Sequence, residues 1–506
     1  MNRKKLSTKN AFVAIITQSI ILIGQFILQT VFVKCLSISY LGANGLFTNV
    51  VSFLSFAELG IGAAITFSLY KPLAEKNEQQ INAIMRLFKN AYEIIGTCIF
   101  VFGMIFSFFI ENLVKAGQSV PHLQFLFILY LLSTVVSYFF TYTRSLLIAN
   151  QDGYINSVNQ AIFKTLQIIA QIPILIFTKQ YALYLVIMII TNLLSNIRIT
   201  KLTFKRFPFL NLKTKNKVPQ YILVKMKQNV VGTVSSKIGE IVVFGTDNIL
   251  ISKFLGLAII GIYSNYMLII NGISSVLNQG ISALISSFGN LGATENLEYQ
   301  EKIFFNYLFL VSALTYILVS TFSILVQGFM KMWFGSNFIL SNLVVLIISI
   351  NFSLTEIRQA CLGFVSALGL FWPMRYKSLI EAAINLSLSL VFIIYFHMGL
   401  LGVLFGTLCS TLLINMWWEP LVLFKYGFKS KIKPYFLKLF QYLLLLVGTQ
   451  FIILCLFSSM QISNIFEALL IAILAIVIFT MLFLLFFMRT AECKYFVILI
   501  KRKAKK

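Results

Sequence analysis

The sequence predicts an all-α, polytopic membrane protein of about fourteen transmembrane helices, arranged as two pseudo-symmetric six-helix bundles with two additional C-terminal helices. Its 506 residues are 59% hydrophobic and only 11% charged, whereas soluble globular chains are about 45–50% apolar and about 25% charged. The charges are also lopsided, with 41 Lys and Arg against 16 Asp and Glu for a formal +25. So basic a balance would suggest nucleic acid in a soluble chain, but the apolar content argues for a bilayer. A short motif also recurs at matching places in the two halves.

Apolar runs long enough to span, about 20 residues each, fall at 11–34, 43–69, 88–110, 123–148, 155–178, 181–200, 229–253, 257–284, 303–328, 340–366, 376–398, 400–424, 437–457 and 465–488. The first run follows Arg3, Lys4, Lys5 and Lys9. It lacks a small-residue cleavage site and is too long for a signal sequence, so it is expected to be a retained span. The basic residues test the whole assignment, because Lys and Arg in short loops mark the cytoplasmic side. With the N-terminus inside, thirty-two of the 41 lie on inner segments, Arg375 and Lys377 among them. Five lie outside (Lys34, Lys115, Lys179, Lys253 and Lys331), and four lie within spans (Arg144, Lys164, Lys237 and Arg358). One missed span would invert every later loop and destroy this asymmetry. Both termini are therefore expected in the cytoplasm.

The organisation that follows is a first bundle over 1–200, a basic cytoplasmic linker over 201–228, a second bundle over 229–424, the additional pair over 437–488 and a basic tail over 489–506. The linker holds Pro208 and Pro219, and its Phe204, Phe207, Phe209 and Leu212 are expected on the headgroups while its lysines face anionic lipid. The repeat is carried by Leu41-Gly42 with Gly45-Leu46-Phe47-Thr48-Asn49 and by Leu255-Gly256 with Gly261-Ile262-Tyr263-Ser264-Asn265. Both stretches follow an outward-going span, so the halves would be related by an axis along the membrane normal.

The six cysteines show no CxxC or zinc spacing, and the two histidines, His122 and His397, stand near span ends, so no metal centre is expected. There is no phosphate-cradling loop, nucleophile elbow or HExxH motif. The loop aromatics and lysines lack a folded platform for nucleic acid.

Polar residues at membrane depth are costly and mark function by default. In the fifth span Asn156, Gln160, Lys164, Gln167 and Gln171 recur at steps of three and four, making one stripe with a cation near its middle. It lines a water-filled cavity or forms a helix–helix seam, with the ammonium favouring the cavity. Gln18, Gln25 and Gln29 repeat the pattern in the first span. In the seventh, Lys237, Glu240 and Asp247 share a face, although Lys237 and Glu240 are spaced to neutralise each other. Glu58 sits mid-way along the second span, before Gly60 and Gly62. Glu356 and Arg358 of the tenth lie about 200° apart on a helix of about 100° per residue, so each needs its own partner or a wet cavity. Glu381, Asn385 and Ser389 share a face of the eleventh span, and Thr407, Thr411 and Asn415 one of the twelfth. Arg144, near the inner end of the fourth, is expected to snorkel to the headgroups.

Fourteen spans together with the Leu41–Asn49 motif, Arg144–Gln151, Asp247–Gly256, Met332–Gly335, Tyr376–Leu386 and Gly399–Thr407 resemble the Wzx-type oligosaccharide flippases of the multidrug/oligosaccharidyl-lipid/polysaccharide exporter superfamily. The resemblance implies an alternating-access exporter, not an enzyme, in the bacterial cytoplasmic membrane. It would move an undecaprenyl-pyrophosphate-linked oligosaccharide from the inner to the outer leaflet for capsule, exopolysaccharide or a similar surface glycan. It further implies an ion gradient or membrane potential as driving force, with Na+ or H+ as coupling ion and no cofactor. A functional monomer is expected beside the polymerase and glycosyltransferases of the same pathway. A sugar needs amide and hydroxyl partners, which the Gln stripes with Gln25 supply, and a pyrophosphate needs cations, for which Lys164, Lys237, Arg358 and Arg144 are available. The related lipid II flippase binds a cation among helices seven, eleven and twelve. Carried by position, Glu240, Glu381, Asn385 and Thr407 become cation-coupling residues here, with Asp247, Glu58 and Glu356 as further acidic candidates. A lipid II or multidrug exporter of the same superfamily is the alternative. A membrane polysaccharide polymerase fits less well, since such enzymes carry a sizeable outer loop and every outer loop here is short.

Overall fold

A computed structural model describes residues 3–55, 68–70, 72–73, 75–115, 120–150, 152–213, 218–220, 245–294, 296–368, 370, 372–457 and 460–504. Among these, eleven helices are long and apolar enough to cross a membrane, and the bent pair Leu123–Tyr138 and Thr141–Ala149 makes a twelfth. Each coincides with an expected span. The other two expected spans are described in part: the second is helical over Ile38–Leu54, and the seventh over 245–255. Glu58, Lys237 and Glu240 lie outside the described residues. The chain is thus a multi-pass, all-helical membrane protein, and it divides into two compact units, Met1–Ser264 and Asn265–Lys506.

The first unit contains α1 (Arg3–Cys35), α2 (Ile38–Leu54), α3 (Glu78–Ser107), α4 (Leu123–Tyr138), α5 (Thr141–Ala149), α6 (Gly153–Thr178) and α7 (Tyr181–Arg206). α1 lies along α6, α7 packs on both α4 and α6, and α3 packs on α4. The axis turns by 43° between α4 and α5. Asp152 ties the start of α6 to the end of α7. It is buried, accepts from Asn150 at 2.7 Å and pairs with Arg206 Nε at 3.2 Å. The basic connection begins as the last turns of α7, and its next residues fold back onto α3. Asn211 N donates to Asn82 Oδ1 at 2.8 Å, and Asn82 Nδ2 donates to the Phe209 carbonyl at 3.1 Å. Phe207, expected on the headgroups, is buried because this turn closes over it.

The repeat motifs meet each other. α8 (Leu257–Thr294) starts in the first unit, and Gly42, fifth residue of α2, abuts Leu257, first residue of α8. Reciprocally, Gly261, fifth residue of α8, abuts Ile38, first residue of α2. A Cβ on Gly42 would stand 1.9 Å from the Leu257 carbonyl oxygen, and one on Gly261 would stand 2.5 Å from that of Ile38. Only glycine permits this approach, the close contact of small residues that membrane helices use in place of a hydrophobic drive.

The second unit continues with α9 (Leu297–Phe334), α10 (Asn342–Ala367), α11 (Lys377–Ile394), α12 (Leu400–Ser410), α13 (Met416–Val422), α14 (Lys433–Phe457), α15 (Ile465–Phe487) and α16 (Ala491–Ala504). α12 and α13 belong to one span, Leu400–Phe428, interrupted by π turns at Thr411–Asn415 and Leu423–Phe428. The C-terminal pair docks on α9 through rings. Phe309 and Tyr316 meet Phe483 at centroid distances of 5.4 and 5.6 Å, and the Tyr316 hydroxyl reaches Thr449 at 3.0 Å. α16 is tied back to α14 by the ion pair of Lys438 with Glu492.

Candidate functional site

Four polar side chains of α11 and the twelfth span converge with one of α10. Along α11 Lys377, Glu381 and Asn385 are spaced by four, so they share a face. Along the twelfth span Thr407, Thr411, Asn415 and Glu419 are also spaced by four, which on a regular helix drifts about 40° per step. The π turn Thr411–Asn415 winds less per residue and takes up part of that drift, keeping Asn415 and Glu419 toward α11.

Glu419 is the centre, with 0% of its surface exposed. Its carboxylate receives Arg358 of α10 as a fork, Nη2 to Oε1 at 2.6 Å and Nε to Oε2 at 3.1 Å. Lys377 Nζ donates to the same Oε1 at 2.8 Å and pairs with Glu381 Oε2 at 3.1 Å. Asn415 Nδ2 donates to Glu381 Oε1. Lys377, Glu381 and Asn415 are all buried. Two cations and two carboxylates therefore balance in a buried site, as buried charge requires. Beside them Asn385 Nδ2 donates to Thr407 Oγ1 at 3.1 Å.

This arrangement corrects two expectations. Lys377 does not serve as an inner-loop cation, because the carboxylates draw it inward. Arg358, expected as a cation for a pyrophosphate, is paired with Glu419 through Nε and Nη2. Glu419 itself was missed, although a carboxylate in an apolar run is the same signal that marked Glu356 and Glu381. Glu356 and Arg358 do have separate partners, as their angular separation requires. Glu356 is 1% exposed and accepts from Ser274 of α8. Its Oε2 makes no hydrogen bond among the described residues.

In the first unit the stripe of α6 resolves into a relay. Lys164 Nζ donates to Gln167 Oε1 at 3.0 Å, Gln167 to Gln171 at 3.2 Å, and Gln171 to the Tyr184 carbonyl of α7 at 3.0 Å. Gln167 and Gln171 are buried in the seam of α6 with α7, Lys164 is half-buried, and Gln160 is exposed. The stripe is thus a seam at Gln171 and open at Gln160, with the ammonium between them. Gln25 of α1 is also exposed. Arg144, expected to snorkel, has a partner on the neighbouring helix. It donates to Asn196 of α7, which is fully buried, so the guanidinium turns inward across the α5–α7 contact. Asp247 is buried near the end of the seventh span. Among the described residues no group of His, Cys, Asp and Glu is placed to hold a metal ion.

No family model and no curated protein matches the chain. Its structure does match solved ones. The lipid II flippase MurJ in an inward closed conformation aligns with a TM-score of 0.63 at 16% identity, covering 95% of this chain and 100% of that one. The inward-facing conformation of a multidrug resistance MATE family transporter of the MOP superfamily aligns with a TM-score of 0.62 at 14% identity, covering 81% of this chain and 98% of that one. A MOP superfamily transporter from Pyrococcus furiosus, described as having a binding pocket of reverse polarity, aligns with a TM-score of 0.55 at 14% identity, covering 85% and 98%. The chain therefore has the fold of these transporters.

Proposed function

We propose that the protein is a flippase for an undecaprenyl-pyrophosphate-linked oligosaccharide, carrying it from the inner to the outer leaflet for capsule, exopolysaccharide or a similar surface glycan. The observation that carries this reading is Lys164. Its ammonium lies at membrane depth and is bonded to the neutral amide of Gln167, with no ion pair among the described residues. A pyrophosphate can replace that neutral acceptor with an anionic one, and exposed Gln160 and Gln25 offer hydrogen bonds to sugar hydroxyls. The protein works as a monomer by alternating access in a bacterial cytoplasmic membrane with both termini inside, beside the polymerase and glycosyltransferases that extend the glycan. A proton or Na+ drives it, with Glu356, buried and holding an unpartnered Oε2, as the carrier among the described acidic residues. Lipid II export is the second reading, favoured by the 95% coverage in the alignment with that flippase.

The test is surface glycan in cells whose own flippase gene is replaced by Lys164→Gln or Lys164→Ala. Both variants should insert and melt as the native protein does, yet lose the glycan, while Lys164→Arg keeps part of it. Normal glycan in both neutral variants overturns the assignment. Rescue of a strain lacking its lipid II flippase by the native gene would establish the second reading.

A further inference from the structure

We propose that Lys377 is a built-in cation: its ammonium fills a site made by Glu381, Glu419 and Asn415 that would otherwise take a monovalent metal ion. The site has the ligands a hard cation prefers, carboxylate and amide oxygens. Lys377 Nζ lies 2.8 Å from Glu419 Oε1 and 3.1 Å from Glu381 Oε2. Asn415, with 0% exposure, is oriented by its bond to Glu381, and its own Oδ1 makes no hydrogen bond among the described residues. That buried acceptor belongs to the amide whose nitrogen is bonded to Glu381, so it lies beside the carboxylate pair.

Charge decides the valence. Arg358 gives its Nε and Nη2 to Glu419 and brings one positive charge to the cluster. Remove the Lys377 charge, and two carboxylates face one guanidinium, leaving a single net negative charge in an enclosed site. One monovalent cation restores neutrality, whereas a divalent ion overshoots it. A small alkali cation also fits the room of an ammonium. In the native chain the site is therefore permanently occupied by a tethered charge, and a soluble coupling ion binds elsewhere. This deepens the transport reading above, and it rests on that reading only for the word coupling.

The experiment is 22Na+ binding to purified full-length protein, with thermal unfolding compared in sodium chloride and choline chloride. No glycan enters the assay, so its outcome is separate from that of the flippase reading. Lys377→Ala and Lys377→Gln should each bind about one more Na+ per chain than the native protein, and Na+ should raise their melting temperatures saturably. Adding Glu381→Gln to either should abolish the gain. Glu381→Gln alone should leave the Na+ binding of the native chain unchanged. The proposal is overturned by folded Lys377 variants that gain no Na+, or by loss of native Na+ binding in Glu381→Gln. Should neither Lys377 variant fold, the Glu381→Gln arm decides alone: unchanged Na+ binding supports the tethered cation, and lost binding refutes it.

Discussion

Replacing Glu419 by Gln tests how far the charge network holds the second unit together. The change keeps the size of the side chain and removes its charge. Arg358 loses the ionic partner of two bonds, at 2.6 and 3.1 Å, and Lys377 that of one at 2.8 Å. Glu381 then faces two cations by itself, with Glu419's position fully buried. Removing one partner of a buried ion pair costs about 3–5 kcal/mol, because the remaining charge is left uncompensated. At about 2–4 °C per kcal/mol for a unit of this size, the melting temperature should fall by about 6–20 °C. A thiol-reactive dye reads it directly, since Cys361 and Cys493 are buried and become reactive on unfolding, once exposed Cys98 and Cys455 and half-buried Cys35 and Cys409 are replaced by Ser. Lys431→Ala, at an exposed position, serves as control and should stay within about 0.5 kcal/mol of native. Replacing both Arg358 and Glu419 by Met should cost less than the sum of the single changes, because no charge is then stranded. A Glu419→Gln protein melting with the control, or a double variant whose cost is additive within about 0.5 kcal/mol, would refute the reasoning.

Two glycine contacts give sharper expectations. A Cβ on Gly406 would stand 2.1 Å from Ser389 Oγ and 2.9 Å from the Ser389 nitrogen, so Gly406→Ala forces α12 off α11. The overpacking should cost about 1–3 kcal/mol. Ser389→Ala should restore only part of the loss in a melting assay, since the backbone atom remains. In the first unit Gly42→Ala meets the Leu257 carbonyl at 1.9 Å and Gly261→Ala meets that of Ile38 at 2.5 Å. Both should lower the yield of folded protein, Gly42→Ala more, while Gly153→Ala, with open space around its Cβ, leaves the yield unchanged.

The spans were legible because about 20 apolar residues are needed wherever a helix crosses. The stripe of α6 was legible for a similar reason: steps of three and four residues put Lys164, Gln167 and Gln171 on one face whatever they touch. The partners were not legible. Glu419 is 61 residues from Arg358, and no local period links them. The basic count does not anticipate the ion pairs of Lys377, for a physical reason. It scores a lysine by its place at a span end, while the four methylenes behind the ammonium can turn it toward headgroups or toward a carboxylate one helix turn on. Arg144 shows the same ambiguity, settled by a buried asparagine on α7.

The charges inside the spans therefore differ in what an entering anion must displace. At Arg358 it must strip away Glu419, breaking two charge-assisted bonds and leaving a carboxylate stranded in a buried site. At Lys377 it must separate an ammonium from two carboxylates at once. At Lys164 it displaces one neutral amide, and Gln167 keeps its bond to Gln171. An anionic acceptor attracts an ammonium more strongly than a neutral amide does, so exchanging an amide for a phosphate oxygen is favourable where exchanging a carboxylate is close to even. The number of intramembrane cations is then a poor guide to where an anion binds. The guide is the charge of the group each cation already holds, and by that measure an anion would displace least at Lys164 of α6.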